Sequence, residues 1–305
     1  MRGRLIFMEF FANKSLRAKA ILALIFCAAL WSTGGILIKL VNLNPLAIAG
    51  SRSLVAALVI LLITGKPKFT FSKGQIASAL AYTGTVVLFV SANKFTTSAN
   101  AILLQYTAPI YAAIFGYIIL KEKVSKVDIL TIGIVIAGMT LFFIDDLAGG
   151  NLLGNIIAIL SGVTFALQAV LLRKQQDSSP AASLILGNIF TAIIGLPFLF
   201  VQTPTQTDIW VLIVMGVFQL GLAYTLYSFA IKHVTALEAI LIPVIEPILN
   251  PLWVFLFVGE FPGKWTVVGG AIVILAVTGR GIYCEIYCKH KALVGASKRV
   301  LDKAK

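Results

Sequence analysis

Residues 239–247 read Ala239-Ile-Leu-Ile-Pro-Val-Ile-Glu-Pro247, and 138 positions earlier residues 101–109 read Ala101-Ile-Leu-Leu-Gln-Tyr-Thr-Ala-Pro109. The same register aligns Ile110 with Ile248 and Glu122 with Glu260. Upstream it aligns Ala92, Lys94 and Thr97 with Ala230, Lys232 and Thr235. Helices rich in Leu, Ile and Ala align in places through composition alone. Shared Pro, Glu, Lys and Thr at one spacing instead point to a duplicated unit. A weaker correspondence near the start of each unit pairs Trp31 and Lys39 with Phe165 and Arg173.

Composition says where such a unit resides. Of 305 residues, 59% are hydrophobic and 12% charged, with a mean hydropathy of +0.97. Soluble domains carry about 25% charged residues, so a water-soluble enzyme and a disordered chain are both excluded. A helix that crosses a bilayer takes about 20 apolar residues. Apolar windows bounded by Gly, Pro, Asn and charge fall at about 18–41, 45–64, 74–92, 97–119 and 126–144. A second set falls at about 152–172, 182–201, 209–229, 236–258 and 265–284. Five spans per unit is an odd number, so the second copy runs upside down. The expected fold is an all-α integral membrane protein: ten transmembrane helices as two inverted five-helix repeats around a central cavity, with the substrate site near the midplane. This divides the chain into a basic segment 1–17, a first repeat 18–148, a second repeat 149–285 and a basic tail 286–305.

The net charge of +13 is an orientation signal, not a nucleic-acid footprint. With the N-terminus inside, 21 of the 25 Lys and Arg fall in cytoplasmic segments, leaving Lys39, Lys94 and Lys264 outside and Arg52 within a span. The external link between the fifth and sixth spans carries Asp145 and Asp146 instead. This asymmetry obeys the positive-inside rule and places both termini in the cytoplasm. The basic tail reads as an anchor beside anionic lipid. The first apolar run is about twenty residues long with no Ala-x-Ala cleavage pattern, so it reads as a retained helix. Three cysteines (Cys27, Cys284, Cys288) make no disulfide framework, and with only His233 and His290 there is no convincing metal site. The chain lacks the G-x-x-x-x-G-K-[ST] loop of nucleotide-driven pumps.

The ten windows, Ala28-Ala-Leu-Trp-Ser-Thr-Gly in the first and Arg52 in the second belong to a recognisable pattern. So do Pro109 with Leu120-Lys-Glu-Lys, Pro247 with Val258-Gly-Glu, and the Gly133/Gly138 and Gly269/Gly270 helices that follow. Over about residues 18–284 the sequence resembles the drug/metabolite transporter superfamily, in particular its EamA-type ten-helix members. The resemblance implies a cavity between two inverted repeats, alternating access, and small organic substrates such as amino acids. Phe165 departs from the pattern where the first half keeps Trp31.

Glu246 is the sharpest candidate. It lies between Pro243 and Pro247 in the ninth window, about 12 Å below Glu238 at 1.5 Å per residue. An ionisable group at that depth is paired, protonated or faces water. The prolines remove backbone donors and bend the helix where it lines a cavity. Glu246 reads as a coupling or substrate-binding group, or as a protonated acid bonded to a neighbouring helix. Asn250, with Pro251 beside it, is one turn on and shares the face of Glu246; their equivalents in the first repeat are Ala108 and Ala112. Gln105 and Tyr106 lie at matching depth in the fourth window, as substrate contacts or as interhelical glue. Arg52, roughly 10 Å below the outer surface, attracts a carboxylate, pairs with Glu246 or snorkels outward. Trp31, Tyr82, Phe165, Tyr224 and Tyr227 offer an aromatic lining or plain packing, joined by Gln168 and Gln219 as substrate contacts. The paired glycines read as close helix packing, and Glu122 and Glu260 as surface partners of Lys121, Lys123 and Lys264.

The expected activity is secondary transport of amino acids or similar polar metabolites by alternating access, with Glu246 as the proton-coupling group. An uncoupled facilitator and a lipid flippase are the alternatives, and a membrane-embedded enzyme lacks the clustered acids, His or Cys it needs. The expected partners are a small-molecule substrate and membrane lipid, with no nucleic acid and no cofactor. The expected form is a monomer or homodimer in the cell inner membrane.

Overall fold

A computed structural model of the chain describes residues 15–144, 151–249, 264, 265 and 267–283. Among them, seven helical stretches are long and apolar enough to cross a membrane. These are α1 (Leu16–Leu40), α2 (Pro45–Thr64), α3 (Lys73–Phe95), α4 (Asn100–Leu120), α6 (Leu152–Lys174), α7 (Pro180–Phe200) and α8 (Gln206–Ala230). The other expected windows are helical over their described residues: α5 (Lys126–Ile144), α10 (Val267–Tyr283), and α9, which starts at Ala236–Leu241 and reaches residue 249. The basic tail, Glu260, Asn250, Cys284 and Cys288 lie outside the described residues.

Each helix start follows from its local sequence. Asn44 accepts the Leu46 N–H ahead of Pro45, which needs no donor at the first helical position. Ser72, Thr97 and Asn151 cap α3, α4 and α6 through their side-chain oxygens. Thr205 with Asp208, and Thr235 with Glu238, form reciprocal capping boxes for α8 and α9. Thr97 and Thr235, equivalent in the duplicated register, thus do the same job.

The helices end or bend at definable places. α1 is interrupted at Ser32 and Thr33, directly after Trp31. α4 breaks at Tyr106 and Thr107, ahead of Pro109. α9 passes through a 3-10 turn over Ile242–Ile245 before Glu246, because Pro243 and Pro247 cannot sustain the regular ladder. In α8 the residues Met215–Leu222 wind as a π-helix, a form that often marks functional positions.

Packing follows the duplication. α3 lies on α6 as α8 lies on α1, α3 on α7 as α8 on α2, and α4 on α6 as α9 on α1. α2 and α7 pack on one another, as do α4 and α9. Exchanging each helix with the one five later therefore maps these interfaces onto one another, whereas the contacts of α3 with α4 and of α1 with α3 have no counterpart of similar extent among the described residues. The outward faces carry Leu54, Leu58, Leu62, Ile193 and Phe200, all exposed, as a hydrocarbon solvent requires.

Polar groups collect at the two ends of the bundle. At one end Arg280 Nε meets Asp128 at 2.7 Å and Arg280 Nη1 meets Glu238 at 3.5 Å, while Arg17 pairs with Glu238. Arg173 meets Glu122 at 3.6 Å and donates to the Lys232 carbonyl at 2.7 Å. Glu122 also accepts the Ala236 N–H, so its partners come from the second half and not from neighbouring Lys121 and Lys123. At the other end Lys39 donates to the Thr96 carbonyl, Lys94 to that of Val41, and the Asn42 N–H to Asp208.

Glycine sets the α2–α7 distance. A Cβ on Gly195 would stand 2.6 Å from Gly50 Cα, and one on Gly50 would stand 2.7 Å from Gly195 Cα. Gly138 does the same for α5 against α10, where its Cβ would stand 2.9 Å from Val273. Gly133, expected to serve close packing too, has open space around it. Gly195→Ala is expected to cost about 1–3 kcal/mol through overpacking, whereas Gly279→Ala, with nothing within 4 Å, leaves stability unchanged or slightly raised. Thermal unfolding of the two variants in detergent measures the contrast.

Candidate functional site

The breaks in α1, α4 and α9 and the π-turn of α8 converge on one buried cavity of about 40 Å3. Trp31, Arg52, Gln105, Phe165, Gln219, Tyr224 and Glu246 line it, all of them sequence candidates. The wall is completed by Thr85, Val86 and Phe89 of α3 and by Leu220, none of which the sequence singled out. With Tyr82, the three α3 residues form an i, i+3, i+4, i+7 stripe. That spacing is the signal that was available, and apolar residues in a membrane helix hide it.

Arg52 is 1% exposed, so it does not snorkel. Its Nη1 donates to Gln219 Oε1 at 2.8 Å. Among the described residues no carboxylate lies within ion-pair distance of it, Glu246 included. Gln219 reaches the guanidinium across α1 because Gly34 lies against its amide; a Cβ there would stand 2.5 Å from Nε2.

Tyr106, a sequence candidate that does not itself line the cavity, places Oη 2.7 Å from Oε2 of the lining residue Glu246 and 2.8 Å from the Pro243 carbonyl. A phenol has one hydrogen and serves one acceptor fully. The Tyr106 hydroxyl is therefore shared between two acceptors, the Glu246 carboxyl and the Pro243 carbonyl. The two broken helices, α4 and α9, thus satisfy each other at the point where their ladders fail.

The aromatic residues form a connected cage. Trp31 is 5.7 Å from Phe165, edge to face, 5.0 Å from Tyr224 and 5.5 Å from Tyr227 between ring centres. Tyr82 stands edge-on to Tyr224 at 4.8 Å, but its hydroxyl turns away from the cavity to donate to Asn188. Trp31 and Phe165, matched in the duplicated sequence, are therefore in direct contact.

Two amides have structural duties. Gln105 Nε2 donates to Ser161 Oγ at 2.7 Å, tying α4 to α6 while its other face borders the cavity. Gln168 is fully buried on α6 beside Tyr224 and is not among the lining residues.

Chemically, the cavity presents a guanidinium, a carboxyl group that is not paired with it, and aromatic rings. The Arg52–Gln219 bond is its most testable element. Gln219→Leu leaves the guanidinium without its acceptor and is expected to cost about 1.5–3 kcal/mol, the range for a bond to a charged group. Combining it with Arg52→Met is expected to recover most of that loss in a double-mutant cycle of thermal unfolding. Strict additivity would show that the two side chains act independently.

Comparison with known proteins assigns this architecture. A model of the EamA-like transporter family matches twice, over residues 18–144 and 152–279. An uncharacterized transporter of Clostridium kluyveri is 26% identical over 213 residues, covering 66% of this chain and 68% of that protein. Human solute carrier family 35 member G1 is 28% identical over 280 residues, covering 82% of this chain and 74% of that protein. A solved crystal structure superposes with a TM-score of 0.74 at 16% identity, covering 88% of this chain and 99% of the other, a likeness of fold. The chain is a multi-pass membrane transporter and belongs to the EamA-like transporter family.

Proposed function

We propose that the chain is a secondary transporter that moves amino acids or similar polar metabolites by alternating access, coupled to protons through Glu246. The observation that carries this reading is that Arg52, buried and without a carboxylate partner among the described residues, shares a cavity with Glu246 and an aromatic cage. A zwitterion matches both walls: its carboxylate takes Arg52 and its ammonium takes Glu246. A proton and that ammonium are alternative ways of neutralising the same buried carboxylate. Their competition couples solute movement to proton movement in the opposite direction.

The size of the cavity supports a gated cycle. A water needs roughly 10–15 Å3, so 40 Å3 holds about three waters and no metabolite. On this reading, loading a metabolite requires the walls to part. Ten spans arranged as two inverted repeats, with both termini cytoplasmic in an inner membrane, give the parts that move. The doubled family match, the correspondence of the main interfaces between the halves and the sorting of polar contacts to two ends all favour that arrangement. On this topology the Arg17–Glu238–Arg280–Asp128 network closes the cytoplasmic end. It joins α1 and α5 of the first repeat to α9 and α10 of the second.

The test is flux from proteoliposomes preloaded with amino acids, nucleosides, sugars and organic acids, followed by mass spectrometry with and without a pH gradient. Selective, gradient-dependent movement of amino acids is the expected result. Glu246→Gln is expected to abolish gradient-driven accumulation while leaving saturable counterflow of the same solute. Gradient-independent movement in the native protein would mean a facilitator. Movement of labelled phospholipid between leaflets, with no soluble species moved, would mean a flippase.

A further inference from the structure

A buried guanidinium needs an acceptor at every stage of a transport cycle, because a charge stranded away from water loses its hydration with nothing in return. Arg52 is buried, and its Nε has no acceptor. Its Nη1 has one, Gln219 Oε1 at 2.8 Å. That acceptor is a neutral amide. A carboxylate in its place makes a shorter bond of roughly twice the strength. The amide therefore holds the guanidinium and is still the weaker of the two partners that the cavity could offer it.

The packing around this bond confines any exchange of partners to one side chain. Gly216 and Gly221 flank Gln219 on α8. A Cβ on Gly216 would stand 2.5 Å from Val55 Cβ and 2.8 Å from the Arg52 carbonyl oxygen, and one on Gly221 would stand 2.7 Å from Val59 Cβ. The α8 backbone is thus pressed onto α2 on both sides of Gln219. What is left to move is the amide at the far end of a flexible side chain. Its place is given by Gly34, just after the break in α1, where a Cβ would stand 2.5 Å from Nε2 and 3.3 Å from Cδ.

We propose that Gln219 is an internal stand-in for the solute carboxylate: it holds Arg52 after the solute has left and yields it to the next one. The proposal rests on the amino acid reading above and completes its exchange. In that reading a proton takes the place of the ammonium at Glu246. Here the Gln219 amide takes the place of the carboxylate at Arg52, so both buried groups keep a partner while the carrier returns without solute. An arriving carboxylate has to break the amide bond, which lowers affinity and favours release. Gly34, by giving the amide its place, tunes that affinity through Gln219.

Transport of an equimolar, isotopically labelled mixture of the twenty amino acids in proteoliposomes tests this. Exchange is measured with the mixture on both sides, and net efflux into amino-acid-free buffer under one fixed pH gradient. Gln219→Ala is expected to half-saturate exchange at an about ten-fold lower concentration, the worth of one hydrogen bond to a charged group. It is also expected to slow net efflux relative to exchange by about the same factor. Gln219→Glu, which fixes a carboxylate beside Arg52, is expected to raise the half-saturating concentration about ten-fold. Gly34→Ala drives the amide aside and is expected to shift exchange as Gln219→Ala does, while adding nothing in the Gln219→Ala background. Size-exclusion profiles check that each variant is folded. Weaker half-saturation in Gln219→Ala would overturn the proposal, since the amide would then only position the guanidinium. So would an unaltered ratio of net efflux to exchange, or a Gly34→Ala shift that persists without the amide. A native chain that moves no amino acid would overturn the amino acid reading and this proposal with it. A native chain that moves them, with variants that leave half-saturation where it was, would sink this proposal alone.

Discussion

The contact on which this structure depends is the one between Tyr106 and the broken segment of α9. Hydrocarbon offers no hydrogen bonds, so a helix interrupted inside a membrane must find partners for its freed groups within the protein. α4 is interrupted at Tyr106 and Thr107, and α9 at Ile242–Ile245. Placed against each other, they leave the Pro243 carbonyl and the Glu246 carboxyl on one phenol. The same requirement explains the position of the cavity. Irregular backbone at membrane depth is tolerated where it borders protein or a water-sized space, and here Tyr106 serves the broken α9 directly behind the cavity-lining Glu246.

A symmetric scaffold carries an asymmetric site. The main helix interfaces correspond when the halves are exchanged, and Trp31 meets its sequence counterpart Phe165. Yet the carboxyl group stands at Glu246, opposite an alanine, Ala108, in the equivalent position. The guanidinium comes from α2 and its acceptor from α8, helices that are not counterparts. Duplication therefore provides the breaks and the enclosure, while single substitutions on one copy provide the chemistry.

The two ends of the bundle differ in kind. One is tied by ion pairs between side chains, the other mainly by side chains on backbone groups. Arg280, Asp128 and Glu238 are buried, and removing one partner of a buried pair costs about 3–5 kcal/mol because it strands the other charge. Asp128 and Glu238 are also anchored by the backbone N–H groups of Ser125 and Thr235 at their own helix starts.

Much of this protein is legible in its sequence. Hydropathy, the positive-inside asymmetry and the matched Pro, Glu, Lys and Thr give the membrane class, the helix windows and the duplicated unit, because the bilayer admits few other solutions for the backbone. Glu246, Gln105, Gln219 and Arg52 are conspicuous because polar groups in hydrocarbon are costly and rarely incidental. Only the tertiary structure decides how they divide the work. It takes Arg52 from the surface to a buried bond with Gln219, turns the Tyr82 hydroxyl to Asn188, and makes Gln105 a tie to Ser161. It also brings in Thr85, Val86 and Phe89, whose contribution is shape. Depth along a helix is fixed by counting residues. Rotation about the helix axis is fixed by packing, and packing decides which polar group meets the cavity and which meets a neighbour.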